Sequence, residues 1–170
     1  MLSPHFYHVF RHMEWADALI WSTIMESDKA ASNQYIKATY FHLHVTQHSF
    51  LNAWLGKPFE RWDQAAFQTA RHIAKWGRDF HMQVPDFLVG LEDEDLDEPT
   101  ILPWARFFAR TLGRDPAETT LRETMQQLPS HSMHHRGQIL RQIRELGLKP
   151  PTADYIAWVW QDRPEADWPI

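Results

Sequence analysis

The sequence predicts an all-α fold: a four-helix bundle with a short fifth helix, and an irregular or short β excursion before the last long helix. Three observations predict it. Four long stretches carry apolar residues three or four apart, the spacing of one helical face. Two of these end at helix-stopping residues, Gly56-Lys57-Pro58 and Gly147 with Pro150-Pro151. Only the stretch from about Gly90 to Asp115 lacks a clear 3.6-residue period.

The first helix is expected from about Pro4 to Met25, where Phe6, Val9, Phe10, Met13, Ala16, Leu19, Ile20 and Ile24 share a face. A polar break (Ser27, Asp28, Ser32, Asn33) separates it from a second helix over about Asn33 to Leu55. A third is expected from about Trp62 to Met82, ending before Pro85 or after an irregularity that this proline imposes. The acidic run EDEDLDEPT and the aperiodic ILPWARFFARTL follow, as two short strands or an irregular excursion. The last long helix is expected to start near Pro116 with Asp115 as cap and to stop at Gly147, with Pro129 kinking it. A short amphipathic piece, Asp154 to Trp160, closes the chain. The excursion suggests at least one crossover connection.

A chain of 170 residues fits one domain, residues 1–170, with no internal repeat. A hydrophobic fraction of 44% with 9 Trp and 10 Phe supplies a core without staples. The absence of cysteine excludes disulfides, thiolate metal sites and a cysteine nucleophile. With 22 acidic against 17 basic side chains and no Lys/Arg stripe, a nucleic-acid partner is not expected. The polar early residues do not fit a secretory signal and no window has the length of a membrane span, so a cytoplasmic protein without membrane contact is expected.

The unusual count is 11 histidines. His131 and His135 stand four apart in the last long helix, where side chains stack one turn apart, as in metalloprotease helices with two ligands on one face. Leu128, Ile139, Ile143 and Leu146 define the apolar side; His135 falls within it and His131 at its edge, while His134 turns away. Two imidazoles on a buried face need partners, which a metal supplies. For a third ligand, the second helix offers His42, His44 and His48. Its apolar side (Tyr40, Leu43, Gln47, Leu51, Trp54, Leu55) contains His44, has His48 at its edge and leaves His42 nearly opposite. His44 is the expected third ligand and His48 the alternative; His42 is read as exposed, and His5, His8, His12, His72 and His81 as surface residues.

These residues resemble the DinB-like superfamily, which includes bacillithiol- and mycothiol-dependent transferases. His131 to Gln138 (HSMHHRGQ), followed by ILRQIRELGLKPP, is similar to the family's HxxxHRGQ helix and its trailing turn. Glu14-Trp15-Ala16-Asp17 resembles the WA[ND] of the first helix, and Pro150 to Tyr155 the closing P-x-x-D segment. HLHVTQHSFLNAWLG resembles the His-bearing second helix, its register left ambiguous by the extra histidines. The resemblance implies a metal site at one end of a usually dimeric bundle, with zinc or nickel held by His131, His135 and His44.

Three imidazoles leave a divalent ion with open positions, as in catalytic sites. The expected function is a metal-dependent thiol transferase or hydrolase acting on a small molecule, with a low-molecular-weight thiol as a possible co-substrate. The alternative is a non-catalytic, metal-stabilised bundle with a stress-related or interaction role. Glu14, Asp17 and Gln138 are candidates for supporting or proton-handling groups, beside the plainer reading of solvated helix-surface residues. Arg136 is read either as an anion binder or as paired with a carboxylate on a neighbouring helix. Trp15, Trp21, Trp104, Trp158 and Trp160 are candidates for a pocket or dimer interface, or for packing between helices.

Overall fold

The computed structural model describes residues 4–170. Among them are seven α-helices: α1 (Pro4–Met25), α2 (Asp28–Ala31), α3 (Gln34–Trp54), α4 (Ala70–Val89), α5 (Ala109–Leu112), α6 (Leu121–Glu145) and α7 (Tyr155–Trp160). Short 3₁₀ turns stand at Gln64–Ala66, Glu94–Asp97 and Ala105–Phe108. The all-α expectation holds. The described residues include no strand, only an isolated antiparallel bridge between Pro99 and Thr120, so the excursion takes its irregular form.

Side-chain caps set the starts of the long helices. The Asn33 side chain accepts from the Ile36 amide at the head of α3, and Thr69 from His72 at the head of α4. Three boundaries differ from the sequence reading. The third helix begins at Ala70 rather than near Trp62, because Trp62 and Phe67 leave the helical path to lay their rings on Trp76, with centroids 5.3 and 4.5 Å away. It then runs through Pro85 to Val89, with Val84 and Leu88 buried on either side of the proline. The last long helix starts at Leu121, not near Pro116. Residues 99–100 pair with 119–120 (Thr100 N to Thr119 O, 2.7 Å), and Thr120 with Glu123 forms a reciprocal capping box. Pro129 lies inside α6 without ending it, and Gly147 follows at φ 79°, a left-handed conformation suited to glycine.

α3 packs against α4 and α6, and α1 against the same two helices. Two apolar clusters fill the interior. One gathers Phe6, Phe10, Met13, Phe50, Leu51, Phe80, Val84, Leu88, Leu121, Met125 and Leu128; the other gathers Ile20, Trp21, Ile24, Ile36, Tyr40, Leu43, Ile73, Ala74, Ile139 and Ile143. Each fully buried large apolar side chain stabilises the fold by roughly 1.5–3 kcal/mol before entropy is charged against it. The order in which each helix visits the clusters gives its direction. α1 and α6 run from the first cluster to the second, whereas α3 and α4 run from the second to the first. The connection that returns along the length of the molecule is therefore residues 55–69. The excursion at 90–120 joins α4 to α6 at one end, where Leu96 plugs the first cluster.

Between the clusters lies a polar layer. Asp17 of α1, His44 and Gln47 of α3, His81 of α4 and Ser132 and Arg136 of α6 are all buried. On α1, α3 and α6 their positions fall between the two apolar sets, and on α4 His81 directly follows Phe80, the first residue of that helix in the first cluster.

Candidate metal centre

On the seam between α3 and α6, one ligand nitrogen from each of His42, His131 and His135 lies within 4.8 Å of the others. α6 supplies two of them by its own periodicity: the rings of His131 and His135 stand 4.4 Å apart with their Nε2 atoms separated by 3.2 Å. The third comes from across the seam. The His42 ring is 4.7 Å from that of His135 and 5.4 Å from that of His131.

Gln138, one turn after His134, arranges this group. Its Oε1 accepts from His135 Nδ1 at 2.8 Å and its Nε2 donates to His134 Nε2 at 3.0 Å. A proton fixed on His135 Nδ1 leaves the Nε2 lone pair aimed at the other two rings, as a ligating histidine requires. His131 Nδ1 is buried and has no hydrogen-bond partner among the described residues. Burial, then the charges of His135, His42 and His134, lowers the His131 pKa to about 4; burial and His135 lower that of His42 as well. His131 and His42, both held low, are neutral imidazoles at pH 7. Three such donors suit zinc or nickel, while calcium and magnesium prefer oxygen.

The chain matches the DinB family over residues 1–166. It belongs to the DinB family. YizA, an uncharacterized protein of Bacillus subtilis (strain 168), is 29% identical to it over 118 residues, 69% of each chain. In this DinB-family chain the HSMHHRGQ run lies on α6, and His131 and His135 converge as the sequence suggests.

His44 does not join them. It is fully buried in the polar layer, where Nε2 accepts from Trp21 Nε1 at 3.2 Å and Nδ1 donates to Gln47 Oε1 at 2.7 Å. Burial lowers its pKa to about 4. His48 is turned toward α4, where its ring donates to the Trp76 carbonyl at 2.9 Å and stacks on the indole at 4.5 Å. The apolar arc of α3 correctly marks His44 and His48 as buried and His42 as exposed. The seam with α6 runs beside that arc rather than through its centre, so the exposed histidine is the one that meets the pair.

Asp17, read in one alternative as a solvated surface group, is fully buried. Its Oδ1 accepts from Arg136 Nε at 2.8 Å, and its Oδ2 accepts from Gln47 Nε2 and His81 Nε2, both at 2.9 Å. Burial alone would raise this carboxyl, but Arg136 and the hydrogen bond and charge of His81 outweigh it and hold the pKa below the usual range. Arg136 thus takes the paired alternative, and its Nη2 also donates to the Met13 carbonyl at 2.8 Å. His12 and His81, expected at the surface, are buried; the signal lay in their spacing from apolar residues of their own helices, His12 three and four before Trp15 and Ala16, and His81 seven after Ala74 and three before Val84. Trp15, Trp21 and Trp158 are buried and Trp104 packs on the first cluster, whereas Trp160 is 79% exposed.

Proposed function

We propose that this DinB-family protein binds one divalent metal, zinc or nickel, through His42, His131 and His135, and uses it as a thiol transferase or hydrolase. The observation that carries this reading is the convergence of three imidazole nitrogens within 4.8 Å across two helices. A histidine on one helix and an i, i+4 pair on another have no packing reason to aim their nitrogens at a common point. An ion there supplies Lewis acidity, able to hold a thiolate or to lower the pKa of bound water to near 7. His135 is held in the ligating tautomer by Gln138, and His131 and His42 are kept neutral by burial and by the charge of His135 beside them.

The enzyme reading is favoured over a purely structural metal by the surroundings. His42 is exposed and His131 and His135 are half-buried, and the rings within stacking distance of the triad are other histidines. A small-molecule substrate has an open approach, which a closed structural site would not provide. A low-molecular-weight thiol as co-substrate, a homodimer and a four-helix-bundle architecture belong to the same reading. No helix of the described residues is long and apolar enough to cross a membrane, and the acidic balance argues against a nucleic-acid partner.

Elemental mass spectrometry on untagged protein tests the reading. The wild type should carry close to one zinc or nickel per chain as purified, His42→Ala and His135→Ala should lose most of theirs through weakened binding, and His44→Ala should keep its metal if it folds. Loss of metal from His44→Ala with retention in His42→Ala, or no metal in the wild type after reconstitution, overturns it.

A further inference from the structure

We infer that Asp17 is a positioning residue for the His42–His131–His135 site: it locks α3 and α6 in the register that brings His42 to the α6 pair. The inference rests on the metal reading above and concerns what holds the site together. It starts from an asymmetry in the triad. His131 and His135 are set relative to each other by one turn of a single helix, so their spacing survives any movement of α6 as a whole. His42 belongs to α3, and its distance from the pair depends on how α3 and α6 slide and rotate against each other.

The apolar clusters limit that sliding only loosely, since aliphatic contacts carry no direction and cores repack with modest loss. Hydrogen bonds to a buried carboxylate are directional. Asp17 receives one from each of the other three long helices: Gln47 from α3, His81 from α4 and Arg136 from α6. Arg136 is the residue after His135, and Gln47 lies five residues beyond His42 on the same helix. The carboxylate therefore fixes both sides of the seam close to the ligands. The chain continues further into α3, because Gln47 Oε1 accepts from His44 Nδ1 and His44 accepts from Trp21 of α1. His44 thus serves the register of the site without reaching it.

Stability alone gives a poor account of this layer. Burying an ion pair costs several kcal/mol per ion in desolvation, and well-packed apolar replacements are often neutral or stabilising. A geometric constraint on two helices that share a ligand set accounts for it, because ligands must be held to within about 0.5 Å of productive geometry.

A double-mutant cycle with zinc as the probe tests the inference. Wild type, Asp17→Asn, His42→Ala and the double variant are titrated with zinc against a chromogenic chelator, with circular dichroism confirming that each is folded. Asn keeps the shape but offers one acceptor oxygen and an NH₂ where Asp offers two oxygens, so the ties to three helices cannot all be kept. Asp17→Asn should weaken zinc binding roughly 10- to 100-fold, the range for groups that orient ligands. In the His42→Ala background, where no ligand remains on α3, the same substitution should cost less than about threefold. Gln47→Met cuts the α3 tie alone and should give a smaller loss with the same dependence on His42; it carries the test if Asp17→Asn does not fold. An unchanged zinc affinity in folded Asp17→Asn, or an equal loss in both backgrounds, overturns the inference. A wild type that takes up no zinc overturns the metal reading itself, a result distinct from either.

Discussion

Substituting alanine for glycine inside a helix normally stabilises it by roughly 0.5–1 kcal/mol, because alanine loses less backbone entropy on folding. At Gly77 the structure predicts the opposite sign. A Cβ at that position would lie 2.2 Å from His44 Cε1, 2.3 Å from Nε2 and 2.7 Å from Nδ1. All three are far inside van der Waals contact, so the ring has to move by about 1 Å or more. It has nowhere to go: Tyr40 stacks on it at 5.3 Å and Trp21 at 6.2 Å, with hydrogen bonds to Trp21 and Gln47 on its two nitrogens. Overpacking of this kind costs about 1–3 kcal/mol, and breaking a buried hydrogen bond adds roughly 1–3 kcal/mol. With the helix gain subtracted, Gly77→Ala should lose on the order of 2–4 kcal/mol in urea unfolding of metal-free protein. Gly137, in α6, is the matched control, since nothing lies within 4 Å of its Cβ position. Gly137→Ala should gain roughly 0.5–1 kcal/mol in the same assay. If Gly77→Ala is as stable as the wild type or more so, the account of His44 as a tightly enclosed member of the polar layer is wrong.

Two further predictions concern pH and capping. His12, His42, His44, His48 and His131 are all held below the ordinary histidine value, with burial the leading cause in each. As pH falls from about 6.5 toward 4 the unfolded chain takes up protons that the folded chain refuses, so stability falls across that window. His44, at about 4, should by itself contribute on the order of 2 kcal/mol to the loss between pH 7.5 and 5. The Asp17 carboxyl, held low, gives a contribution that stays intact until pH drops below about 4 and does not offset this. Urea midpoints that stay flat from pH 7.5 to 5 in chelator-treated protein would contradict the assignment of buried neutral imidazoles. Separately, Thr120→Ala removes the side chain of the capping box at the head of α6 and should lower stability by about 1 kcal/mol, read from the same unfolding curves.

Much of the fold was legible because apolar periodicity reports packing directly. α1 spans Pro4–Met25, as the face of Phe6, Phe10, Met13, Ile20 and Ile24 indicates. The errors at 62–69 and 116–120 share a cause. Trp62, Ala66 and Phe67 have helical spacing, yet the rings of Trp62 and Phe67 are spent on Trp76 in an irregular loop; the residues before α6 pair with residues 99–100. Tertiary contacts overrode local pattern in both places. On the site, an i, i+4 histidine pair can be read from one helix alone. The third histidine depends on which side of α3 faces α6, and no feature within α3 records that.

The choice between His42 and His44 shows why burial is a poor guide to ligands. A histidine at the centre of an apolar arc lies deepest in the interior, where it must satisfy both ring nitrogens from nearby side chains, as His44 does with Trp21 and Gln47. Those bonds occupy both nitrogens and leave no lone pair for an ion. A histidine outside the arc can satisfy one side with solvent and still reach across a helix seam. His42, exposed to solvent, meets His131 and His135 there. A site that exchanges ligands with solvent favours the solvent-facing side, and the interior then supplies the Asp17 layer that keeps the two helices aligned.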